Sequence, residues 1–237
     1  MNRGTKVVNE LFEAAWEMHK AQETLRRRVK CRIDLLREAA SEECICRIQG
    51  QWEVCALEVL HVNDVPPQQF RESVKVLLEK GRSKYVMLTG PANCGKTFLL
   101  NPLNKIYNTF TNPATSNFAW VGAEKAEIIF LNDCRWSPQI IAWHDFLLML
   151  EGQVVHLLAP KSHFAMDVNF DGDTPIFCTT KHPLTFVRNG CVDEGETEIM
   201  RVQRMWFSLG HQIPQDQKQE MEACSSCFAR MILCEDE

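Results

Sequence analysis

The chain has 237 residues, of which 45% are hydrophobic and 24% charged, a composition typical of a globular protein with a sizeable core. Its formal net charge of −5 argues against a protein that binds nucleic acid over its whole surface, so DNA contact is expected only from a local basic element or a channel formed on assembly. Eleven cysteines occur in a sequence without a secretory signal or an apolar run of membrane-spanning length. This pattern predicts reduced thiols in an intracellular protein without membrane contact.

The first fifty residues favour helix. Residues 6–40 contain neither glycine nor proline, and their apolar residues recur at steps of three and four. Two positions of this grid are polar, Gln22 and Arg32, so the pattern is compatible with a helical hairpin, with a coiled coil for oligomerisation or with one amphipathic helix packed on its own domain. The polar interruptions favour the single helix. The basic cluster at 26–30 is interpreted as a solvated helix face rather than a DNA-binding or nuclear-targeting patch.

The segment from Val86 to Leu100 predicts a strand, a glycine-bounded loop and a helix. The loop follows the pattern G-x-x-x-x-G-K-T of a phosphate-binding loop, in the structural context that the pattern requires. Glycines at its ends permit backbone angles that let N–H groups surround a phosphate, while Lys96 would reach the β- and γ-phosphates and Thr97 would ligate Mg²⁺. A nucleotide site is therefore expected. Its residues are Gly90, Pro91, Ala92, Asn93, Cys94, Gly95, Lys96 and Thr97.

The remaining elements predict an α/β fold. Helices are expected at 52–62, 68–80 and 140–150, and strands at 118–121, 127–131, 154–158, 164–168, 176–179 and 205–209, before a polar helical tail. Residues 159–163 suggest a hairpin with a basic tip. Asn132 and Asp133 follow a buried strand, where a magnesium-and-water site is expected. Alternation of strands and helices indicates a mainly parallel sheet with its site at the carboxyl ends of the strands.

Residues from about Trp52 to Gly210 resemble the superfamily 3 helicase domain of parvovirus-type non-structural replication proteins. The resemblance rests on the order of six motifs: ALEVL at 56–60, the loop at 90–97, IIFLND at 128–133, KSH at 161–163, TPIF at 174–177, and RMWF at 204–207. It implies a P-loop NTPase with a modified AAA+ core, ATP and Mg²⁺ as cofactors, and a homo-oligomeric ring, usually a hexamer. It also implies ATP hydrolysis, 3′-to-5′ translocation on single-stranded DNA, and a nuclear location if the role is in replication.

The resemblance also implies individual roles. Lys96 would bind the phosphates, Asp133 would position the attacking water, and Thr97 with Asn132 and Asp133 would hold Mg²⁺. Arg204 matches the arginine finger that acts across a subunit interface. Lys161 and His163 match hairpin residues that face DNA in the central channel. The implied organisation is a helical segment at 1–50, an ATPase domain at 51–210 and a polar tail at 211–237.

Two residues depart from the family pattern. Asn132 replaces the first of two carboxylates, so the charge that holds magnesium is missing. Lys181 occupies the position of a polar sensor asparagine and cannot accept a hydrogen bond from water. We therefore expect weakened hydrolysis with ATP binding less affected. A non-catalytic oligomeric nucleotide- or DNA-binding protein that retains the fold is the alternative, whereas a monomeric small-molecule kinase would need a substrate lid that the sequence does not suggest.

Residues 1–50 are too short for the nicking domain that precedes the helicase in complete replication proteins, so a helicase-only, divergent or host-integrated relative is expected. In the tail, Cys224 and Cys227 have the spacing of half a zinc site. Cys44 and Cys46 are separated by a single residue and do not suggest the second half. The sequence thus favours no zinc site.

Overall fold

The computed structural model describes residues 3–82, 84–113, 118–158, 168–170, 172–188, 190–202, 204–214, 216 and 221–234. The helices are α1 (Arg3–Arg28), α2 (Arg32–Ser41), α3 (Gln51–His61), α4 (Pro67–Lys80), α5 (Lys96–Leu100), α6 (Leu103–Ile106), α7 (Trp143–Leu150), α8 (Glu194–Val202) and α9 (Ser225–Leu233). The strands are β1 (Tyr85–Thr89), β2 (Thr109–Thr111), β3 (Ile128–Leu131), β4 (Val155–Leu157), β5 (Val168–Phe170), β6 (Ile176–Thr180), β7 (Val187–Arg188), β8 (Cys191–Val192) and β9 (Arg204–Ser208).

A five-stranded sheet in the order β2-β3-β6-β1-β9 forms the centre of the fold, and each of its neighbouring pairs is parallel. The predicted α/β fold with a mainly parallel sheet is therefore confirmed. In the register, Thr89 at the end of β1 lies opposite Thr180 on one side and Ser208 on the other. Because parallel strands end at the same edge, the segments after β1, β3, β6 and β9 meet there.

Alternating residues of the sheet enter two hydrophobic layers, as the two-residue period of a strand requires. Val86 and Leu88 pack with helices α2, α3, α4, α5, α6 and α9, whereas Tyr85 and Met87 pack with α7, β4 and β5. Burial on both faces explains why the central strands are continuously apolar. Packing on both faces of β1 thereby fixes the start of the loop that follows this strand.

The N-terminal segment is not one amphipathic helix packed on its own domain, as the sequence favoured. It breaks between α1 and α2, and only α2 enters the core, through Leu36 and its neighbours. The apolar side chains described along α1 are exposed, among them Leu11, Phe12 and Trp16. The end of α1 is held by Arg27, whose guanidinium donates to both carboxylate oxygens of Glu127 at 2.8 and 2.6 Å.

One strand prediction was wrong. Residues 118–121 form turns rather than a strand, and β2 at 109–111 takes the sheet edge instead; the apolar run reflects burial of Ala119 and Trp120 beneath the sheet. The tail contains a helix, α9, as expected, but this helix is not polar: its Phe228 is fully buried and packs edge-on against Trp52 at 5.8 Å between ring centroids.

The predicted strand at 164–168 lies outside the described residues except for Val168, where β5 begins and pairs antiparallel with β4. Within the described part of the chain, no helix has the length and hydrophobicity needed to cross a membrane.

Candidate functional site

The loop from Gly90 to Thr97 joins β1 to α5 at the carboxyl edge of the sheet. A Cβ atom on Gly90 would lie 2.0 Å from the Leu209 carbonyl oxygen, so only glycine permits this approach of the two backbones. Gly95 has a φ of +88°, which favours glycine, and a Cβ there would lie 2.8 Å from Val59 Cγ1. Both glycines of the motif are therefore required, one by packing against β9 and the other by conformation and packing against α3.

Lys96 is buried and lies inside the loop that precedes it. Its ammonium group donates to the carbonyl oxygens of Gly90 at 2.7 Å and Pro91 at 2.6 Å, and Nζ lies 3.4 Å from Cys94 Sγ. These contacts occupy the three donors of the ammonium group. A phosphate bound by Lys96 would replace one or more of these contacts.

Thr97 lies beside the residues that follow β3. Its hydroxyl donates to Asn132 Oδ1 at 2.8 Å, and the hydroxyl of Thr179 on β6 donates to the same oxygen at 2.8 Å. The Thr179 hydroxyl also accepts from the backbone N–H of Asp133 at 2.8 Å. The neutral amide of Asn132, at the end of β3, therefore lies next to Thr97, the predicted metal ligand.

Asn112, one residue beyond β2, fixes the backbone of Asn132. Its amide nitrogen donates to the Asn132 carbonyl at 2.9 Å, and its amide oxygen accepts from the Asn132 N–H at 2.7 Å. Sequence reasoning missed Asn112 and Thr179 because nothing in the local pattern places the ends of β2 and β6 beside β3. Only the strand order brings them together.

A cavity of about 550 Å³ opens beside the loop, a volume typical of small-molecule sites. Loop residues that include Lys96 and Thr97 form the polar part of its lining. The rest is a largely apolar wall that comes from α3, Val62 and the segment after β9. Lining residues outside the loop and α5 are Cys55, Glu58, Val59, Val62, His211, Ile213, Pro214 and Met221.

The segment after β9 is attached to both the loop and α3. The N–H of Ile213 donates to the Asn93 carbonyl at 2.8 Å, and the N–H of His211 donates to Asn63 Oδ1 at 2.8 Å. The side chain of Gln212 donates to the Ala92 carbonyl at 3.1 Å. These bonds hold the apolar wall of the cavity at a fixed position relative to the loop. The sequence suggested no role for residues 211–214.

The other predicted residues are placed differently. Asp133 is exposed, with a φ of +51°, and its carboxylate lies 3.3 Å from Arg135 Nη2. It lines a separate cavity of about 200 Å³, which Asn132 and Asn112 also border. Lys181 follows β6 and is exposed. Lys161 and His163 lie outside the described residues.

Arg204 is not brought to the loop of its own chain. It opens β9 opposite Tyr85, the first residue of β1, whereas the loop follows Thr89 at the far end of that strand. Its guanidinium carbon lies 4.6 Å from the centre of the Trp206 ring. Contact between this arginine and a phosphate at Lys96 would therefore need a second chain.

A second cluster was not expected from the sequence. The sulfur atoms of Cys44, Cys46, Cys224 and Cys227 all lie within 4.8 Å of one another. The two pairs are about 180 residues apart in sequence, and α9 brings them together by packing against α2 and α3. The sequence contains both cysteine pairs, but only Cys224 and Cys227 have the two-residue separation that is typical of zinc motifs.

No protein family and no curated protein matches the sequence. Among solved structures, the A form apo structure of the NrS-1 C terminal region matches with a TM-score of 0.53 at 11% identity, over 82% of this chain and 47% of the other. The structure of its 305–718 region matches with a TM-score of 0.52 at 11% identity, over 84% and 48%. This chain thus spans about half the length of the proteins it matches. The likeness shows the fold alone.

Proposed function

We propose that the chain is an ATP-dependent DNA helicase module of the superfamily 3, parvovirus replication type, with a P-loop NTPase fold and a modified AAA+ core. The observation that carries the proposal is the loop from Gly90 to Thr97, which combines a buried Lys96, a Thr97 hydroxyl and an adjoining cavity of about 550 Å³. A loop rich in backbone N–H groups and a lysine are the usual means of holding nucleotide phosphates.

In this proposal, the phosphates of ATP lie against the loop and the base lies against the apolar wall. Lys96 exchanges its bonds to the Gly90 and Pro91 carbonyls for bonds to phosphate oxygens. Thr97 ligates Mg²⁺, which would neutralise phosphate charge when bound. Val59, Val62 and Ile213 line the cavity with apolar surface suited to a base.

We further propose that hydrolysis is weak. Asn132, which accepts from Thr97, lacks the negative charge that draws Mg²⁺ to this position. Asp133 would position the attacking water, although one of its carboxylate oxygens also accepts a hydrogen bond from Arg135 at 3.3 Å. Lys181 at the sensor position adds a donor where an acceptor is expected.

Oligomerisation follows from the same proposal. Arg204 lies at the opposite edge of the sheet from the loop, so it would act on ATP held by a neighbouring subunit of a ring. The family resemblance favours a ring of six subunits. The exposed apolar side chains of α1, such as Leu11 and Phe12, favour a partner for that helix. Lys161 and His163 would contact single-stranded DNA in the channel, and a role in replication would place the protein in the nucleus.

The alternative is a non-catalytic oligomeric protein that binds nucleotide or DNA and retains the fold. The specific observation that favours it is Asn132, whose amide replaces a carboxylate while satisfying the hydroxyls of Thr97 and Thr179. This protein would bind ATP without appreciable turnover.

The test combines a titration with a fluorescent ATP analogue, a phosphate-release assay with and without single-stranded DNA, and size-exclusion chromatography. Lys96→Ala is compared with Lys80→Ala, a matched change of an exposed lysine at the end of α4. We expect Lys96→Ala to abolish binding and any DNA-stimulated hydrolysis, and Lys80→Ala to leave both unchanged. Thermal unfolding of each variant checks that the fold is intact.

Binding without DNA-stimulated hydrolysis supports the alternative. A wild-type chain that binds no nucleotide contradicts both functions. A chain that stays monomeric with ATP and DNA contradicts the ring helicase.

A further inference from the structure

Four cysteine side chains converge where the segment between α2 and α3 packs against α9. Cys44 and Cys46 lie in the segment between α2 and α3, and Cys224 and Cys227 lie at the start of α9. Their sulfur atoms lie within 4.8 Å of one another, although the two pairs are about 180 residues apart in sequence. The described residues contain no other group of three or more histidine, cysteine or acidic side chains arranged in this way.

The separations of the sulfur atoms match those of a tetrahedral metal site. Zinc–sulfur bonds of about 2.3 Å in tetrahedral geometry place neighbouring sulfurs about 3.8 Å apart. The distance from Cys224 Sγ to Cys44 Sγ is 3.8 Å, and that from Cys46 Sγ to Cys227 Sγ is also 3.8 Å. Cys44 and Cys227 are closer, at 3.3 Å, but remain well beyond the length of a disulfide bond, about 2.05 Å.

The four side chains lie partly inside the fold. Cys224 and Cys227 are buried, and Cys44 and Cys46 are half-buried. Backbone hydrogen bonds from Gly50 to Cys44 and from Ile45 to Cys224 would stabilise the negative charge that metal ligation requires.

We propose that Cys44, Cys46, Cys224 and Cys227 bind one zinc ion as a structural four-thiolate site. Four protein ligands fill the tetrahedral shell and leave no position for substrate, so the ion is structural rather than catalytic. The ion joins the α2–α3 segment to α9 and thereby fastens the C-terminal helix onto the layer that packs against the sheet. Since α3 also supplies the wall of the 550 Å³ cavity, the ion holds that wall in place. This proposal is independent of the helicase proposal.

The first test measures zinc in the full chain, purified under reducing conditions without metal-affinity steps, by mass spectrometry. We expect about one zinc ion per chain. Cys44→Ser and Cys227→Ser should each lose most of the metal, whereas Cys191→Ser and Cys234→Ser, which alter exposed cysteines outside the cluster, should keep it. Wild-type chain with no more zinc than a variant lacking all four cysteines would overturn the proposal, as would equal loss in the control variants.

The second test uses the intact wild-type chain, because a ligand variant that fails to fold would also lose metal. Zinc is replaced by cobalt(II), whose visible absorption reports tetrahedral geometry and whose near-ultraviolet sulfur-to-cobalt band counts the thiolates. Four thiolates, displaced stoichiometrically by zinc, are expected. An octahedral cobalt spectrum, or a disulfide among these four cysteines in freshly purified protein, contradicts the site. A chelator should lower the melting temperature of the wild-type chain. It should leave the melting temperature of the variant that lacks all four cysteines unchanged.

Discussion

Thr97 Oγ1 lies 2.8 Å from Asn132 Oδ1, so the hydroxyl expected to ligate magnesium is hydrogen-bonded to an uncharged amide. The same amide oxygen accepts from Thr179, and Asn112 holds the Asn132 backbone through two hydrogen bonds. The amide is therefore part of an ordered network at the ends of β2, β3 and β6. Its neutrality leaves the proposed magnesium position with less negative charge than a carboxylate would supply.

Changing Asn132→Asp should strengthen magnesium binding. A carboxylate can accept the same hydrogen bonds from Thr97 and Thr179, and it adds a negative charge beside the proposed ion. We expect the magnesium concentration for half-maximal ATP hydrolysis to fall by roughly tenfold, equivalent to about 1.4 kcal/mol, and phosphate release to rise. Steady-state phosphate release across a magnesium titration provides the measurement.

The matched control is Asn169→Asp, which adds the same charge on the exposed edge of β5 beside His156. It should leave the magnesium dependence unchanged. If both variants shift it equally, the effect comes from net charge and not from the position of Asn132.

Changing Gly95→Ala should disrupt both the loop and its contact with α3. Alanine is strained at a φ of +88°, and its Cβ would also lie 2.8 Å from Val59 Cγ1. Gly122→Ala is the control, since its φ of +95° imposes a similar strain while no atom lies within 4 Å of the added carbon. We expect Gly95→Ala to lower the free energy of unfolding by on the order of 1 kcal/mol more than Gly122→Ala. Urea denaturation measures both.

The contact with Val59 can be isolated by a second substitution. Val59→Ala removes the methyl group nearest the new Cβ, so it should be less destabilising in the Gly95→Ala chain than in the wild-type chain. If Val59→Ala lowers the free energy of unfolding equally in both chains, backbone strain alone accounts for the destabilisation by Gly95→Ala.

Changing Val62→Trp should block the cavity beside the loop. Val62 lines that cavity, and an indole ring would occupy the space assigned to the base. We expect the affinity for the fluorescent ATP analogue to fall at least tenfold, about 1.4 kcal/mol. Val54→Trp, at an exposed position of α3, the helix that ends just before Val62, should bind the analogue as the wild-type chain does. Unchanged binding by Val62→Trp would remove this cavity from the proposed nucleotide site.

Changing Arg27→Ala should destabilise the fold. Arg27 donates to both oxygens of Glu127 and to the Ile106 carbonyl at 2.8 Å, and both charged side chains are largely shielded from solvent. Loss of this charged pair should lower the free energy of unfolding by on the order of 2 kcal/mol. Arg28→Ala, the adjacent exposed arginine, should change it by less than about 0.5 kcal/mol. Equal effects of the two changes in thermal or urea unfolding would contradict a specific role for Arg27.

The cluster at 26–30 therefore needs a more specific interpretation than a solvated helix face. Arg27 forms a long-range ion pair with the residue preceding β3, whereas Arg26 and Arg28 are exposed. No local pattern distinguishes these three arginines, because the partner of Arg27 is 100 residues away in sequence.

The sequence by itself determined the features that depend on local periodicity and backbone chemistry. Continuous apolar runs defined β1, β3 and β6, and the spacing of Phe70, Val74 and Leu77 defined α4. The spacing of Gly90 and Gly95 marked the loop, and the substitution at Asn132 was visible at once. These features are local because a residue's backbone freedom and its side-chain period are set within a few neighbours.

Only the tertiary structure decided which distant residues meet. Strand order placed Asn112 and Thr179 beside Asn132, and the burial of α9 brought two cysteine pairs about 180 residues apart into one cluster. The turn at 118–121 also became apparent only from packing, because burial beneath a sheet and membership of a strand produce similar apolar runs. Contacts between distant segments depend on the packing of the whole core, which no local pattern records.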